Sequence, residues 1–155
     1  RLAAERPDVG LVIAGPDGWG AGALDDAIAA AAHRDRIGRS GYVADPVRGG
    51  LLAGAAAFAY PSVYEGFGLP PLEAMAHGVP VVATAAGAVP EVCGDAAAIV
   101  AVGDTDAFAE ALASILDDDG RAAALASAGR VRAAGYTWER CAAGLVELYR
   151  DAVGG

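Results

Sequence analysis

Lysine is missing from this chain of 155 residues, in which all 11 basic residues are arginine. Chemistry that needs a lysine amine is therefore excluded for this polypeptide, including a P-loop nucleotide site and a Schiff base to pyridoxal phosphate. The arginines are outnumbered by 20 acidic residues, which gives a net charge of −9. Because such a charge repels polyanions, nucleic acid is not expected as a partner.

Cysteines and long apolar runs are also scarce. Cys93 and Cys141 have no histidine or cysteine at metal-ligand spacing, which argues against a zinc site and a disulfide framework. Although 55% of the residues are hydrophobic, no apolar run reaches the roughly 18 residues of a membrane span. The chain opens with neither Met nor a signal-peptide pattern. We expect a cytoplasmic protein, present here as a fragment.

Short apolar runs alternate with Ala-rich segments over the first two thirds of the chain, and the last third has only helical patterns. Strands are expected near residues 11–15, 41–44, 56–62, 79–84 and 97–102. Helices are expected near residues 23–34, 46–56, 70–77, 105–117, 121–134 and 137–153, with a further turn of helix before the last strand. Strands separated by helices predict one α/β domain, a Rossmann-like parallel sheet with helices on both faces.

The stretch YEGFGLPPLEAM places two acids, Glu65 and Glu73, on either side of a strand-to-helix joint. Gly66 and Gly68 allow a close approach of the backbone to a ligand, and the prolines at 70–71 fit the first turn of a helix. In a parallel sheet such a joint is a ligand site, and carboxylates bind sugar hydroxyls well. The pattern is about equally compatible with a site for a sugar nucleotide and with a solvated loop that binds nothing, because Glu is common in the first turn of a helix.

The segment SVYEGFGLPPLEAMAHGVPVVAT resembles the E-x7-E signature of the retaining group 1 glycosyltransferases (family 4), and VPEVCGDAA resembles their downstream segment. LVIAGPDGW and GYV fall in the expected order, so the resemblance covers nearly the whole chain. It implies the C-terminal, donor-binding half of a GT-B fold, without its first strand and its N-terminal acceptor domain. The implied reaction transfers a hexose, of mannosyl or glucosyl type, from a nucleoside diphosphate sugar with retention and without a metal or another cofactor.

The resemblance also implies roles for individual residues. Glu65 would be catalytic, bonding hydroxyls of the transferred sugar near the reaction centre. Backbone amides of the loop that follows it would bind the donor sugar and phosphate, and Glu73 would bind the ribose. These donor-binding loop residues are Gly66, Phe67, Gly68 and Leu69.

A second set of donor-binding residues follows from the same resemblance. Gly15 and Pro16 follow the first strand and would lie close to the nucleotide, as would Tyr42 and Val43, whose backbone would contact the base. Glu91, in the VPEV segment, would lie near the donor pocket.

The chain departs from the family in lacking the lysine that usually accompanies an arginine on the diphosphate. We therefore expect the isolated chain to be inactive. The N-terminal domain would be its partner and would carry the acceptor, including an acceptor at a membrane surface.

Two other classes compete with this interpretation. A non-catalytic nucleotide-binding or interaction module could keep the same scaffold, because a fold does not determine its function. A nicotinamide oxidoreductase would need G-x-G-x-x-G after the first strand, and GPDGWG has the wrong spacing.

Overall fold

The computed structural model describes residues 2–18 and 20–154, which form two compact units that meet in sequence at Gly54 and Ala55. Trp19, which the sequence alone leaves open as a stacking platform or a packing residue, lies outside the described residues. Each unit is built around its own parallel sheet.

The first unit contains two parallel strands, β1 (Leu11–Ala14) and β2 (Ile37–Gly41). Its helices are α1 (Leu2–Glu5), α2 (Ala21–Ala30) and α3 (Asp45–Ala53). Strand pairing aligns Leu11 with Ile37 and Ile13 with Arg39. Arg36, just before β2, ties the start of the chain to this sheet by donating hydrogen bonds to the carbonyl oxygens of Ala3, Arg6 and Val9.

The second unit contains a three-stranded parallel sheet in the order β3–β4–β5. Its strands are β3 (Phe58–Tyr60), β4 (Val81–Thr84) and β5 (Ala98–Val100). Its helices are α4 (Leu69–Ala76), α5 (Val89–Cys93), α6 (Thr105–Asp117), α7 (Asp119–Ala134) and α8 (Trp138–Val153). All four residues of β4 are buried, as expected for the central strand of a covered parallel sheet.

The core of the second unit depends on a close approach of α4 and α7. Met75 of α4 is fully buried, and Gly129 of α7 lies directly against it. A Cβ atom on Gly129 would be 3.0 Å from the Cγ of Met75. Glycine is therefore required here for interhelical packing.

Side-chain caps define the starts of the last three helices. Asp104 accepts a hydrogen bond from the Ala107 amide at 2.9 Å and so caps the start of α6. Asp118 and Thr137 cap α7 and α8 in the same way. No helix in the described residues is both long and apolar enough to cross a membrane.

The predicted α/β class with parallel strands is confirmed, but two details differ. The second strand, expected together with a loop around residues 41–44, lies earlier: β2 is Ile37–Gly41, and Tyr42 and Val43 belong to the loop that follows it. The IGRSG sequence has little apolar character, and its pairing with β1 is what makes it a strand. The strands also form two sheets, one in each unit, where the sequence predicted one.

Replacing Gly129 by valine tests the helix contact. We expect Gly129→Val to lower the free energy of unfolding by about 1–3 kcal/mol, because the added methyl groups overlap with Met75. Gly144→Ala is the matched control, since a Cβ at this helical position of α8 meets nothing within 4 Å. The control should raise stability by up to about 1 kcal/mol. If urea unfolding showed that Gly129→Val raises the free energy of unfolding as much as Gly144→Ala does, close packing at Gly129 would be contradicted.

Candidate functional site

The loop between β3 and α4 holds the carboxylate of Glu65 in a defined position. The Tyr60 hydroxyl donates a hydrogen bond to Oε1 of Glu65. The Ser62 hydroxyl lies 3.0 Å from that oxygen and 3.0 Å from the Tyr64 carbonyl oxygen, and it shares its single proton between the two. Tyr60 is the last residue of β3, so the acid is tied to the end of a strand. The Thr84 hydroxyl, at the end of β4, in turn contacts the carbonyl oxygens of Tyr60 and Ser62.

The backbone of Glu65 is held by the turn that follows β4. The Ala88 amide donates to the Glu65 carbonyl oxygen at 3.4 Å. Gly87 has a φ of 54°, and a Cβ at this position would overlap with that same carbonyl oxygen. Glycine at 87 is therefore needed for its conformation and for the close approach of the two turns.

The loop that follows Glu65 leads directly into α4. Gly68 occupies the N-cap position of the helix with a φ of 98°, and a Cβ at this position would lie 3.4 Å from the Cγ2 of Val89. Pro70 and Pro71 lie in the first turn, as predicted, and neither carries an N–H. The amides available at this end of the helix therefore belong to Gly66–Leu69, which are the residues predicted to bind the donor.

Residues at and just beyond the C-terminal end of α7 hold the Phe67 ring in place. This ring meets the Tyr136 ring edge to face, with centroids 5.9 Å apart. Arg132 lies over the Tyr136 ring and donates hydrogen bonds to the Tyr136 hydroxyl at 3.1 Å and to the Val92 carbonyl at 2.8 Å. It also donates to the carbonyl oxygen of Glu91, so this predicted residue contributes its backbone to the cluster while its side chain is exposed.

Glu73 lies about one turn into α4, as predicted, and its side chain is half-buried. Its carbonyl oxygen accepts a hydrogen bond from the His77 amide at 3.2 Å and lies 2.8 Å from the His77 Nδ1. His77 therefore lies at the C-terminal cap of α4.

Two buried groups in this unit have raised pKa values. The pKa of the Tyr60 hydroxyl is raised well above its ordinary value, first by burial, then by its hydrogen bond to Glu65 and by the charge of that carboxylate. Tyr60 is consequently a hydrogen-bond donor across the neutral range. Burial also raises the pKa of the Cys93 thiol, although the positive charge of Arg132 opposes this.

The remaining predicted residues lie in the first unit, at the carboxyl ends of β1 and β2. The Gly15 amide donates to the Gly41 carbonyl at 2.8 Å, which brings the loop of Gly15 and Pro16 next to that of Tyr42 and Val43. Tyr42 is 76% exposed. A cavity of about 180 Å³ opens beside the first loop, lined by Ile13, Ala14, Gly15, Pro16, Gly18, Gly20, Ala21, Leu24 and Arg39.

Arg39, on the wall of this cavity, is paired with acids. Its guanidinium forms ion pairs with the carboxylates of Asp17 and Asp25. The positive charge in the cavity is therefore already balanced by two carboxylates.

Several residues that shape the site were not predicted from the sequence. Tyr60, Ser62 and Thr84 orient Glu65, and Arg132 and Tyr136 hold the Phe67 loop. Ser62 lies only three residues before Glu65, which was a usable local signal. Arg132 and Tyr136 are separated from the loop by more than 60 residues, and no sequence pattern links them.

Within residues 2–18 and 20–154, no three His, Cys, Asp or Glu side chains are grouped so that they could hold a metal ion. The absence of a metal from the reaction stays a prediction.

The chain is similar to known glycosyltransferases. A family model described as "Glycosyl transferases group 1" matches residues 1–118. The O-antigen chain mannosyltransferase B of Escherichia coli is 40% identical over 141 residues, which are 90% of this chain and 37% of that protein. The chain thus spans little more than a third of this relative.

Solved glycosyltransferase structures share the fold. The sucrose-phosphate synthase of Thermosynechococcus elongatus has a TM-score of 0.81 and 28% identity, and the match covers 99% of this chain and 41% of the other. HepE of Anabaena, solved in complex with UDP-glucose, has a TM-score of 0.76 and 26% identity, and the match covers 83% of this chain and 37% of the other. Together with the family match, these likenesses establish that the chain belongs to the group 1 glycosyltransferases and has the GT-B type of fold.

Proposed function

We propose that this chain is the donor-binding half of a retaining hexosyltransferase that uses a nucleoside diphosphate sugar. The observation that carries the proposal is the arrangement at the end of β3, where an oriented carboxylate, Glu65, is followed at once by the amides of Gly66–Leu69. A carboxylate recognises sugar hydroxyls, and amides at a helix start stabilise phosphate oxygens. The likeness to HepE, whose structure contains UDP-glucose, supports this class of donor.

In the proposed reaction the bond between the anomeric carbon and the diphosphate oxygen breaks. A bond to the acceptor oxygen forms on the same face of the sugar, and the proton of the acceptor hydroxyl passes to the leaving diphosphate oxygen. Negative charge grows on the leaving diphosphate, so fixed amide dipoles near it lower the barrier without a resident metal. Glu65 holds the transferred sugar through its hydroxyls during this step.

The nucleotide is assigned to the other predicted residues. Glu73 bonds the ribose hydroxyls, and the loops that contain Gly15, Pro16, Tyr42 and Val43 contact the nucleotide. Glu91 lies beside the donor pocket. The mannosyl and glucosyl names of the relatives support a hexose of either type.

The acceptor is assigned to a domain outside this chain. We propose that the chain lacks its first strand and an N-terminal acceptor domain, because it spans about a third of the relatives that it matches. The complete enzyme would act in the cytoplasm, with a soluble acceptor or one at a membrane surface.

Replacing Glu65 tests the catalytic assignment. In the full-length enzyme that carries this chain, Glu65→Ala should lower kcat at least about 100-fold, because a contact near the reaction centre strengthens in the transition state. Steady-state kinetics with UDP-glucose and GDP-mannose provide the measurement. Glu147→Ala, at an exposed position of α8, is the control. A kcat within about twofold of the wild-type value would show that the role assigned to Glu65 is wrong.

Replacing Glu73 should affect binding instead. A ribose contact remote from the chemistry is made about equally in the ground and transition states, so Glu73→Ala should raise the donor KM and leave kcat nearly unchanged. The loss of one hydrogen bond to a charged group corresponds to about 1.5–3 kcal/mol, or at least tenfold in KM. An unchanged KM would exclude the ribose assignment.

The isolated chain should bind nucleoside diphosphates weakly and turn over no donor. A diphosphate would enter a domain of net charge −9, against which exposed helix amides contribute only about 1 kcal/mol per charge. We expect dissociation constants for UDP, GDP and ADP above about 10 μM, which corresponds to roughly −7 kcal/mol, in calorimetric titrations. Tighter binding would mean that arginines of this chain hold the diphosphate.

A further inference from the structure

Both hydrogen bonds that the structure records to the Glu65 carboxylate end on the same oxygen. The Tyr60 hydroxyl donates to Oε1, and the Ser62 hydroxyl shares its proton between Oε1 and the Tyr64 carbonyl oxygen, each 3.0 Å away. A carboxylate oxygen has two lone pairs, so two donors occupy its hydrogen-bonding capacity. Within the described part of the chain, Oε2 is the oxygen that receives no recorded hydrogen bond, and it is therefore the one able to meet a ligand hydroxyl.

We propose that Tyr60 and Ser62 are positioning residues that fix Oε1 of Glu65 so that Oε2 alone contacts the donor sugar. This inference rests on the proposed function, in which Glu65 bonds the transferred hexose. It adds that the carboxylate acts in one orientation, set by two hydroxyls that do not themselves touch the sugar.

Tyr60 is itself held in place. Its ring stacks on that of Phe58, two residues earlier on the same face of β3, with centroids 5.9 Å apart and planes 21° apart. Because burial and the nearby carboxylate keep its hydroxyl protonated, Tyr60 stays a donor wherever Glu65 is charged. Among the described residues, Tyr60 is the titratable side chain that forms a hydrogen bond with the Glu65 carboxylate.

Ser62 is positioned through the backbone. The Thr84 hydroxyl bonds the Ser62 carbonyl and lies 3.3 Å from the Tyr60 carbonyl, so it bridges the two residues from the neighbouring strand. Thr84 is only 5% exposed, so this bridge is a buried contact. Through this bridge, the central strand β4 helps to fix the orientation of Glu65.

The hydrogen bonds can be tested on the isolated chain without any donor. With tyrosines labelled at Cζ, NMR should show that Tyr60 remains protonated at pH values above its ordinary pKa of about 10. Glu65→Ala should move the Tyr60 titration to lower pH, although burial keeps it above that of an exposed tyrosine. A Tyr60 titration that Glu65→Ala leaves unchanged would overturn the proposal and leave the proposed function intact.

The positioning role is tested by kinetics of the full-length enzyme with UDP-glucose and GDP-mannose. Tyr60→Phe and Ser62→Ala should each lower kcat about 5- to 10-fold, as expected for one lost hydrogen bond, with the donor KM within twofold. Ser62→Thr, which keeps the hydroxyl, should restore most of the lost kcat. The matched controls are Tyr149→Phe and Ser127→Ala, at exposed helical positions.

Together these variants distinguish a failure of the positioning role from a failure of the proposed function. If Glu65→Ala abolishes turnover while Tyr60→Phe and Ser62→Ala match the wild-type kcat, the positioning role is wrong and the proposed function stands. If Glu65→Ala itself retains full kcat, the proposed function is wrong and the positioning inference falls with it. A loss of kcat that Ser62→Thr does not restore would indicate a purely structural effect and also overturn the inference.

Discussion

The contact between the Glu65 carbonyl oxygen and the backbone of Gly87 is the constraint on which the candidate site depends. It joins the turn after β3 to the turn after β4, and only glycine leaves room for it. Thr84 adds a second tie between the same two strand ends. Because β4 is buried throughout, these contacts tie the acidic loop to the buried central strand of its unit. An exposed loop is thereby given the precision that sugar recognition needs.

A similar constraint acts on the opposite side of the loop, through aromatic packing. Tyr136 lies beyond the end of α7 and contacts Phe67, and Arg132 connects it to the carbonyl end of α5. The close packing of Gly129 on Met75 sets the position of α7 against α4. The core contact between these helices therefore also determines where the Phe67 ring lies, which links stability of the unit to the geometry of its loop.

The sequence predicted the fold class well because its strands are short apolar runs and its helices have recognisable starts, such as the cap Asp104 and the first-turn Pro70. It failed for β2, where the IGRSG run is recognisable as a strand only through its pairing with β1. Glu65 and Glu73 stood out by their spacing around glycines and prolines. The residues that orient Glu65 did not, because Thr84 and Gly87 approach it only after β3 and β4 have paired.

We infer that the Glu65 loop binds the sugar end of a nucleotide sugar, and amide NMR of the isolated chain provides the test. Millimolar UDP-glucose and UDP should be added to separate samples, so that the difference between the two spectra isolates the contribution of the sugar. We expect the difference between the UDP-glucose and UDP spectra to be largest at the amides of Gly66–Leu69 and to disappear in Glu65→Ala. A difference confined to residues 2–54, or one that Glu65→Ala leaves unchanged, would contradict it.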